Sequence, residues 1–149
     1  MVITFGKDKS VWVQGRATWL FSKLYNHIEK NPDWLYAARL GADFIKKFAF
    51  DESGRAFFRL TQDGKPINKP WSIFSETFLI IGLAHYAKAS GDELSLEQAV
   101  KTYWNLVSLL DNPEKIGSNT VYENYPVKGH AIPMIMVATT QELREIVPD

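Results

Sequence analysis

The sequence predicts an all-α fold of antiparallel helical hairpins, with one small β-hairpin between them. Three observations support this. Apolar residues recur at helical spacing in successive segments of the 149-residue chain. Short turns containing Asn, Pro or Gly separate these segments, so neighbouring helices are expected to pack antiparallel. Only residues 51–70 change to the short pattern that is typical of strands joined by a tight turn.

The composition indicates one ordinary soluble domain and excludes several classes of function. With 17 basic and 17 acidic side chains the formal net charge is zero, so neither nucleic acid nor an anionic membrane is an expected partner. No stretch is long and apolar enough to span a bilayer, and Lys7, Asp8 and Lys9 interrupt the place of a signal peptide. The absence of cysteine excludes disulfides and thiolate metal sites. A cytoplasmic location is therefore expected.

The first two helices are predicted on either side of a very short turn. Residues 12–30 form the first, and Asn31 can cap the second while Pro32 occupies its first position. The second helix runs to about residue 49, and Gly41 would let a neighbouring helix approach closely. The predicted apolar stripe of the first helix is Ala17, Leu20, Phe21, Leu24 and Ile28; that of the second is Ala37, Leu40, Gly41, Phe44, Ile45 and Phe48.

A small hairpin is predicted next, followed by a third helix. Residues 56–61 and 65–67 flank a tight turn at Asp63 and Gly64. Residues 72–90 then return to helical spacing, and Gly91 is placed to end this helix in a left-handed conformation. Its predicted apolar stripe is Phe74, Phe78, Ile81 and His85.

Two more helices complete the predicted elements. Ser95 and Gln98 are expected to form a capping box for the fourth, and Pro133 lies in the first turn of the last, at residues 131–146. The long loop between them, residues 111–129, is of the kind that often lines a functional mouth. The predicted buried side of the fourth helix is Ala99, Val100, Tyr103, Leu106, Val107 and Leu110. Such hairpins form open bundles, or arcs of α/α-barrels and solenoids that self-associate.

The first helix carries the best candidates for a binding site. Trp12, Arg16 and Trp19 lie at i, i+4 and i+7, on a stripe beside the apolar one. An indole offers a flat apolar face to the C–H side of a pyranose. A guanidinium donates paired hydrogen bonds to sugar oxygens and stabilises negative charge on them. In the alternative interpretation the two tryptophans are core anchors and Arg16 extends to solvent or pairs with a carboxylate.

The remaining polar residues show no catalytic arrangement. His27 is expected near a helix C-terminus facing solvent, and His85 is interpreted as a hydrogen-bonded core histidine rather than a base. His130 precedes the last helix and could reach the mouth of a cleft. Neither metal-ligand spacing nor a phosphate-binding glycine run is found, so no metal or other cofactor is predicted. The carboxylates interpreted as solvated charges are Asp51, Glu52, Glu142 and Glu145.

Three segments resemble one known family. Residues 11–25 resemble the signature VWxxGRxxWxFSxLY that begins the N-acylglucosamine 2-epimerases, called renin-binding proteins in animals. Residues 57–78 resemble the family's block FxLTxDGxPxxxxxxIFSExF in order and spacing. A weaker match joins residues 132–134 to the family's VPMM helix. Together the three segments cover nearly the whole chain.

The resemblance implies an (α/α)6 barrel with a sugar in its central cleft. It also implies epimerisation of an aldose by removal and return of the proton at C2, with two histidines as acid and base. Arg16 matches the family position credited with contacting the oxyanion, and Trp12 matches a pocket aromatic. Glu76 and Phe78 match the block that approaches the cleft. The residues expected to bind substrate are therefore Arg16, Trp12, Trp19, Glu76 and Phe78.

The chain also departs from the family. In the family, the catalytic histidines lie on helices beyond the position that matches Asp149, and a first helical segment comes before the position that matches Met1. Residues 1–149 are therefore expected to form a single partial α/α-barrel domain that lacks the first segment and the C-terminal half, with no catalytic residue assigned. The alternative is a non-catalytic carbohydrate-binding or self-associating helical module. A homo-oligomer or a completing partner chain is expected, because an incomplete barrel exposes apolar helix faces.

Overall fold

The computed structural model describes residues 6–69, 72–112, 115–116 and 129–147. Within them the order of the five helices and the hairpin agrees with the prediction, and the first strand, Lys9–Ser10, is an addition that was not predicted. The helices are α1 (Val11–His27), α2 (Pro32–Phe48), α3 (Phe74–Ser90), α4 (Glu93–Leu110) and α5 (Ala131–Arg144). The strands are β1 (Lys9–Ser10), β2 (Arg59–Leu60) and β3 (Pro66–Asn68). Most of the predicted loop at residues 111–129 lies outside the described residues.

Helix α3 lies at the centre and packs against each of the other four helices. Every residue from Ser75 to Ala87 is buried except Phe78, which is half-buried. The prediction of a single apolar stripe on this helix was therefore too narrow. A helix surrounded by others needs apolar or small side chains on all sides, and the mean hydropathy of α3 is the highest of the five.

Helices α1 and α3 approach each other at a distance that only glycine permits. A Cβ atom on Gly15 would lie 2.7 Å from the carbonyl oxygen of Phe78. A Cβ atom on Gly82 would lie 2.7 Å from the carbonyl oxygen of Gly15. The backbones are in direct contact, so only small side chains fit between them. The residues that α1 buries are Val11, Gly15, Thr18 and Ser22.

This packing corrects the predicted buried face of α1. Leu20 and Ile28, two residues of the predicted stripe, are 48% and 72% exposed. The stripe was chosen by hydrophobicity, whereas close helix packing selects for small size, including the polar Thr18. Gly41 contributes in the same way, because a Cβ atom there would collide with Thr18 Oγ1. The predicted close approach at Gly41 is confirmed.

The faces predicted for α2 and α4 are also partly wrong. Helix α2 buries Ile45 as expected, but Leu40 is 53% exposed. Helix α4 buries Ala99 and Leu106 as expected, but Leu110 is 38% exposed. In both helices small residues again occupy the buried positions. Those that the prediction missed are Ala38 and Ala42 in α2, and Ser95 and Thr102 in α4.

The small sheet attaches the hairpin to the start of α1. Its three antiparallel strands have the order β1-β2-β3, and the N–H of Val11 donates to the carbonyl of Phe58 at 3.1 Å. Gly64 has φ of 88°, which a tight turn requires and which glycine adopts without strain. The predicted hairpin is confirmed, although its strands are shorter than expected and the pairing with β1 was not predicted.

The helix ends follow the sequence signals with one exception. Asn31 caps α2 by accepting a hydrogen bond from the Asp33 N–H at 2.9 Å, and Gly91 ends α3 with φ of 78°, both as predicted. The predicted capping box of α4 is wrong. Asp92 is the N-cap, and it accepts hydrogen bonds from both the N–H and the hydroxyl of Ser95. An ionised carboxylate is a strong acceptor at a helix N-terminus, and this one lies three residues earlier.

Helix α5 closes one side of α3. It buries Met136 and Leu143, and the hydroxyls of Tyr103 on α4 and Thr140 lie 2.9 Å apart. Met134, part of its predicted apolar run, is 67% exposed. None of the helices formed by the described residues has both the length and the apolar character needed to cross a membrane.

The close packing of α1 on α3 predicts the effect of adding one methyl group. In a helix interior alanine is favoured over glycine by about 1 kcal/mol. In Gly15→Ala the new methyl collides with backbone atoms that cannot rotate away, so its cost is expected in the upper part of the usual range, about 2–3 kcal/mol. We expect the free energy of unfolding, measured in urea, to fall by about 1–2 kcal/mol.

Gly129→Ala is the control, because no atom of the described residues beyond its chain neighbours lies within 4 Å of a Cβ placed there. We expect it to change the free energy of unfolding by less than about 0.5 kcal/mol. A Gly15→Ala variant as stable as the wild type would contradict the packing described.

Candidate functional site

An open cleft of about 280 Å³ lies between α1, α3 and α5. It brings together three of the residues predicted to bind substrate, namely Arg16, Trp19 and Phe78. Helix α1 contributes the first two, and their position follows from the close packing of α1 on α3. The other lining residues are Thr77, Ile81, Ile135, Ala138, Thr139 and Glu142.

Stacked aromatic rings form one wall of the cleft. The Trp12 ring lies nearly parallel to the rings of Phe74 and Phe78, with centroid distances of 5.7 and 5.4 Å. Trp12 is half-buried, and its indole Nε1 has no hydrogen-bond partner among the described residues. The Trp12 ring does not line the cleft itself but supports the Phe78 ring. The stacking thus holds Phe78 in a fixed orientation.

Arg16 lies over this wall. Its guanidinium carbon is 5.1 Å from the centroid of the Phe78 ring, which is a cation–π arrangement. The side chain is exposed, and no carboxylate among the described residues forms a salt bridge with it. In the alternative interpretation Arg16 extends to solvent or pairs with a carboxylate; its exposure agrees with the former, and the pairing finds no support in these contacts. The donors of the guanidinium are available to a ligand in the cleft.

Glu142 closes the opposite side of the cleft and joins α5 to the other two helices. Its Oε2 accepts a hydrogen bond from the Trp19 indole at 2.8 Å, and its Oε1 accepts one from Lys23 at 2.6 Å. The same Oε2 lies 2.8 Å from His85 Nε2 on α3. Burial alone would raise the pKa of Glu142, but the hydrogen bonds from Lys23 and Trp19 outweigh it and lower the pKa. The carboxylate is therefore ionised at neutral pH.

The interpretation of Glu142 as a solvated surface charge is wrong, since only 22% of its side chain is exposed. Its partners lie 119 and 123 residues earlier in the chain, on another helix. No local sequence signal connects residues so far apart. Only the packing of α5 beside α1 brings them together.

His85 is a core histidine, as predicted. Its side chain is fully buried, and the Asn26 amide donates to its backbone carbonyl at 3.0 Å. The predicted hydrogen bonding of the ring is not found. Nε2 lies close to Glu142 but is not directed at it for a hydrogen bond, and Nδ1 has no partner among the described residues. Burial lowers the pKa of His85, although Glu142 acts in the opposite direction.

Glu76 lies outside the cleft, on the side of α3 that meets the Asp51–Ala56 turn. Its Oε1 accepts hydrogen bonds from Arg55 Nε at 2.7 Å and from the Ala56 N–H at 3.1 Å. Its side chain is 1% exposed, and burial raises its pKa against the effect of Arg55. The contacts of Glu76 are those of a residue that holds the turn onto α3. They give no support to the prediction that it contacts substrate.

The other two histidines occupy exposed positions away from the cleft lining. His27 is the last residue of α1, where it was expected, and its ring centroid is 6.5 Å from that of His85. His130 is the N-cap residue of α5 and makes no side-chain capping hydrogen bond.

Comparison of the sequence with known families identifies the family of this chain. The sequence model of the N-acylglucosamine 2-epimerase (GlcNAc 2-epimerase) family matches residues 2–139. The chain belongs to the N-acylglucosamine 2-epimerase family. The resemblance predicted from its three segments is thereby confirmed.

The similar proteins include N-acylglucosamine 2-epimerases and cellobiose 2-epimerases. The chain is 28% identical over 142 residues to the N-acylglucosamine 2-epimerase of Bos taurus, and the match covers 92% of this chain and 34% of that protein. It is 30% identical over 95 residues to the cellobiose 2-epimerase of Dictyoglomus turgidum, covering 64% of this chain and 24% of that protein. The chain thus spans about a third of the length of the first of these relatives.

Solved structures of the same family share the fold. The cellobiose 2-epimerase of Bacillus thermoamylovorans superposes with a TM-score of 0.79 at 16% identity, over 97% of this chain and 41% of that one. That of Spirochaeta thermophila gives a TM-score of 0.78 at 20% identity, over 96% and 40%. The predicted fold, antiparallel helical hairpins forming part of an (α/α)6 barrel, is confirmed.

The buried ring of His85 predicts how stability depends on pH. Its pKa in the folded protein is below the ordinary value of 6.5, so the unfolded chain takes up the proton first. The contribution of the neutral His85 ring to the free energy of unfolding is fully present above pH 6.5. It is lost as the pH falls toward the pKa of His85 in the folded protein. We expect urea unfolding to show a falling free energy between pH 7 and 5.5, and His85→Gln to reduce that slope.

The control is His130→Gln, which removes an exposed histidine and should keep the wild-type slope. The lowered pKa of Glu142 acts only below its ordinary value of 4.5, outside this window. A slope that is the same in wild type and His85→Gln would contradict the effect assigned to burial of His85.

Proposed function

We propose that this chain supplies a sugar-binding wall of a 2-epimerase site. The observation that carries the proposal is the cleft in which Arg16, Trp19 and Phe78 meet the ionised Glu142. The expected ligand is an aldose of the kind named in the relatives, an N-acylglucosamine or cellobiose. The reaction of the complete site would be epimerisation at C2.

Each residue of the cleft has a proposed role. The Trp19 indole stacks against the C–H face of the sugar, while Phe78, supported by Trp12 from behind, holds Arg16 over the cleft through the cation–π contact. Arg16 donates hydrogen bonds to the carbonyl oxygen of the open-chain sugar and stabilises the negative charge that develops there when the C2 proton leaves. Glu142 accepts hydrogen bonds from sugar hydroxyls. We assign Glu76 a structural role, through its ion pair with Arg55.

The acid and base steps are proposed to come from outside this cleft wall. Among the residues that line the cleft no imidazole is present, and His85 is enclosed in the core beside it. General acid and base catalysis contributes about 10²- to 10⁴-fold each. In this proposal residues 1–149 act as one partial barrel domain that binds substrate and stabilises charge. A cytoplasmic setting is part of the proposal, supported by the absence of cysteine from the sequence.

Arg16→Ala tests the proposal. A charge-assisted hydrogen bond contributes about 1.5–3 kcal/mol, so its loss should weaken sugar binding by about 10- to 100-fold. Binding is measured by tryptophan fluorescence in titrations with N-acetylglucosamine, N-acetylmannosamine and cellobiose. Arg39→Ala is the control, because Arg39 is exposed on α2 and stacks on Tyr36 instead.

An isotope experiment separates binding from turnover. The sugar is incubated with wild type or with Arg16→Ala in deuterated water. Deuterium that appears at C2 with wild type but not with Arg16→Ala would show that the chain completes the reaction itself. Binding without deuterium at C2 is the expected result. Equal sugar affinity of Arg16→Ala and wild type would overturn the assignment of the cleft.

A second candidate function is a non-catalytic, self-associating module. It is favoured by exposed apolar side chains on α4 and α5, where Trp104, Met134 and Val137 are 63%, 67% and 60% exposed. Where exposed apolar side chains form a contiguous patch, the patch is often covered by a partner. A second copy of the chain or a completing partner chain would cover them.

Light scattering at micromolar concentration tests self-association. We expect a dimer or larger species in the wild type and a shift toward monomer in Trp104→Ser, because this substitution removes the largest of the exposed side chains. Leu94→Ser, at the start of α4 and 68% exposed, is the control. A wild-type monomer that does not bind an apolar dye would contradict the homo-oligomer.

A further inference from the structure

Two histidines and a glutamate converge at one end of the cleft helices. His27 ends α1, His85 lies in the middle part of α3, and Glu145 follows the last residue of α5. One ring nitrogen of each histidine and one carboxylate oxygen of Glu145 all lie within 4.8 Å of one another. The three residues lie on three different elements and are 58 or more positions apart in the sequence. Metal-ligand spacing in the sequence therefore gives no sign of them.

The state of His85 is the second observation. Its side chain is fully buried, and neither ring nitrogen has a hydrogen-bond partner among the described residues. Buried polar groups are nearly always paired, and those that are not call for an explanation such as an ion. Its Nε2 lies 2.8 Å from Glu142 Oε2 and 4.0 Å from Glu145 Oε2. Within the part of the chain that the structure describes, the ring of His85 therefore has no hydrogen-bond partner, although the oxygens of Glu142 and Glu145 lie nearby.

The cluster is open to solvent on one side. His27 is exposed, and 46% of the Glu145 side chain is exposed. Zn–N and Zn–O distances are about 2.0–2.2 Å. Ligand atoms around a tetrahedral Zn²⁺ lie about 3.4 Å apart, so these atoms, now up to 4.8 Å apart, must draw together by up to roughly 1.4 Å. The two exposed side chains can rotate to do so, while the buried His85 stays in place.

The chemistry of the donors selects the type of ion. Two imidazoles with a carboxylate suit Zn²⁺ and neighbouring transition metals, whereas Mg²⁺ and Ca²⁺ take oxygen ligands. An imidazole must be neutral to bind a metal, so binding is expected to weaken as the pH falls. Lys23 opposes binding, because its Nζ lies 3.7 Å from Glu145 Oε2 and pairs with Glu142.

We propose that His27, His85 and Glu145 bind a Zn²⁺-type transition metal ion, with Glu142 within reach as a fourth ligand. The ion joins the end of α1 to α3 and to the end of α5, the three helices that line the cleft. Its role is to hold these helices together. This site lies beside the sugar-binding wall and shares Glu142 with it, but its three proposed ligands do not line the cleft, and the proposal does not depend on the function proposed for that wall.

Titration of the full chain with ZnCl₂ tests the proposal, by isothermal titration calorimetry and by thermal unfolding. We expect one equivalent of Zn²⁺ to bind and to raise the Tm, because a ligand that binds only the folded state stabilises it. His27→Asn should weaken Zn²⁺ binding by at least about tenfold, and the rise in Tm should disappear. His27 is exposed, so this variant is expected to fold.

Two controls make the result specific. His130→Asn removes an exposed histidine outside the cluster and should bind Zn²⁺ as the wild type does, whereas Glu145→Gln should bind more weakly. MgCl₂ should not raise the Tm of any of these proteins. Binding of Zn²⁺ that is the same in His27→Asn and wild type, or a wild type that binds none, would overturn the proposed site.

Discussion

The contact between the backbones of α1 and α3 determines the position of nearly every candidate functional residue. Gly15 and Gly82 remove the β-carbons that would hold the two helices apart. Arg16 follows Gly15 directly, and Trp19 lies one turn further along the same helix. These side chains therefore emerge at the edge of the contact, next to Phe78 on α3. The geometry of the aromatic wall is a consequence of backbone packing rather than of interactions between the functional side chains.

On the α5 side of the cleft, one carboxylate, that of Glu142, makes polar contacts to the other two helices. Glu142 reaches from α5 to Trp19 and Lys23 on α1 and contacts His85 on α3. The interaction is electrostatic and only partly shielded from water, so it orients α5 more than it stabilises the fold. The same carboxylate faces the cleft and the buried histidine. Structure and the proposed binding of sugar therefore share one residue.

Local signals in the sequence predicted the order of the five helices and the hairpin, the cap at Asn31 and the left-handed end at Gly91. These features depend on residues close together in the chain. The buried face of α1 was not predicted, because hydrophobicity favoured Leu20 where close packing required Thr18. Glu142 was missed because its partners lie on a distant helix. Arg16 and Trp19 were predicted as binding residues from their helical spacing and Phe78 from the family resemblance, and the fold brings the three to one cleft.

The most direct test of this account is the indole N–H resonance of each tryptophan in a nitrogen-15 NMR spectrum, recorded during titration with N-acetylglucosamine or cellobiose. The Trp19 indole donates to Glu142 at the cleft, whereas Trp104 is exposed on α4, away from the cleft. A sugar that shifts the Trp19 resonance and leaves that of Trp104 unchanged is the predicted result. A sugar that shifts Trp104 alone, or neither resonance, would contradict the claim that this cleft binds the sugar.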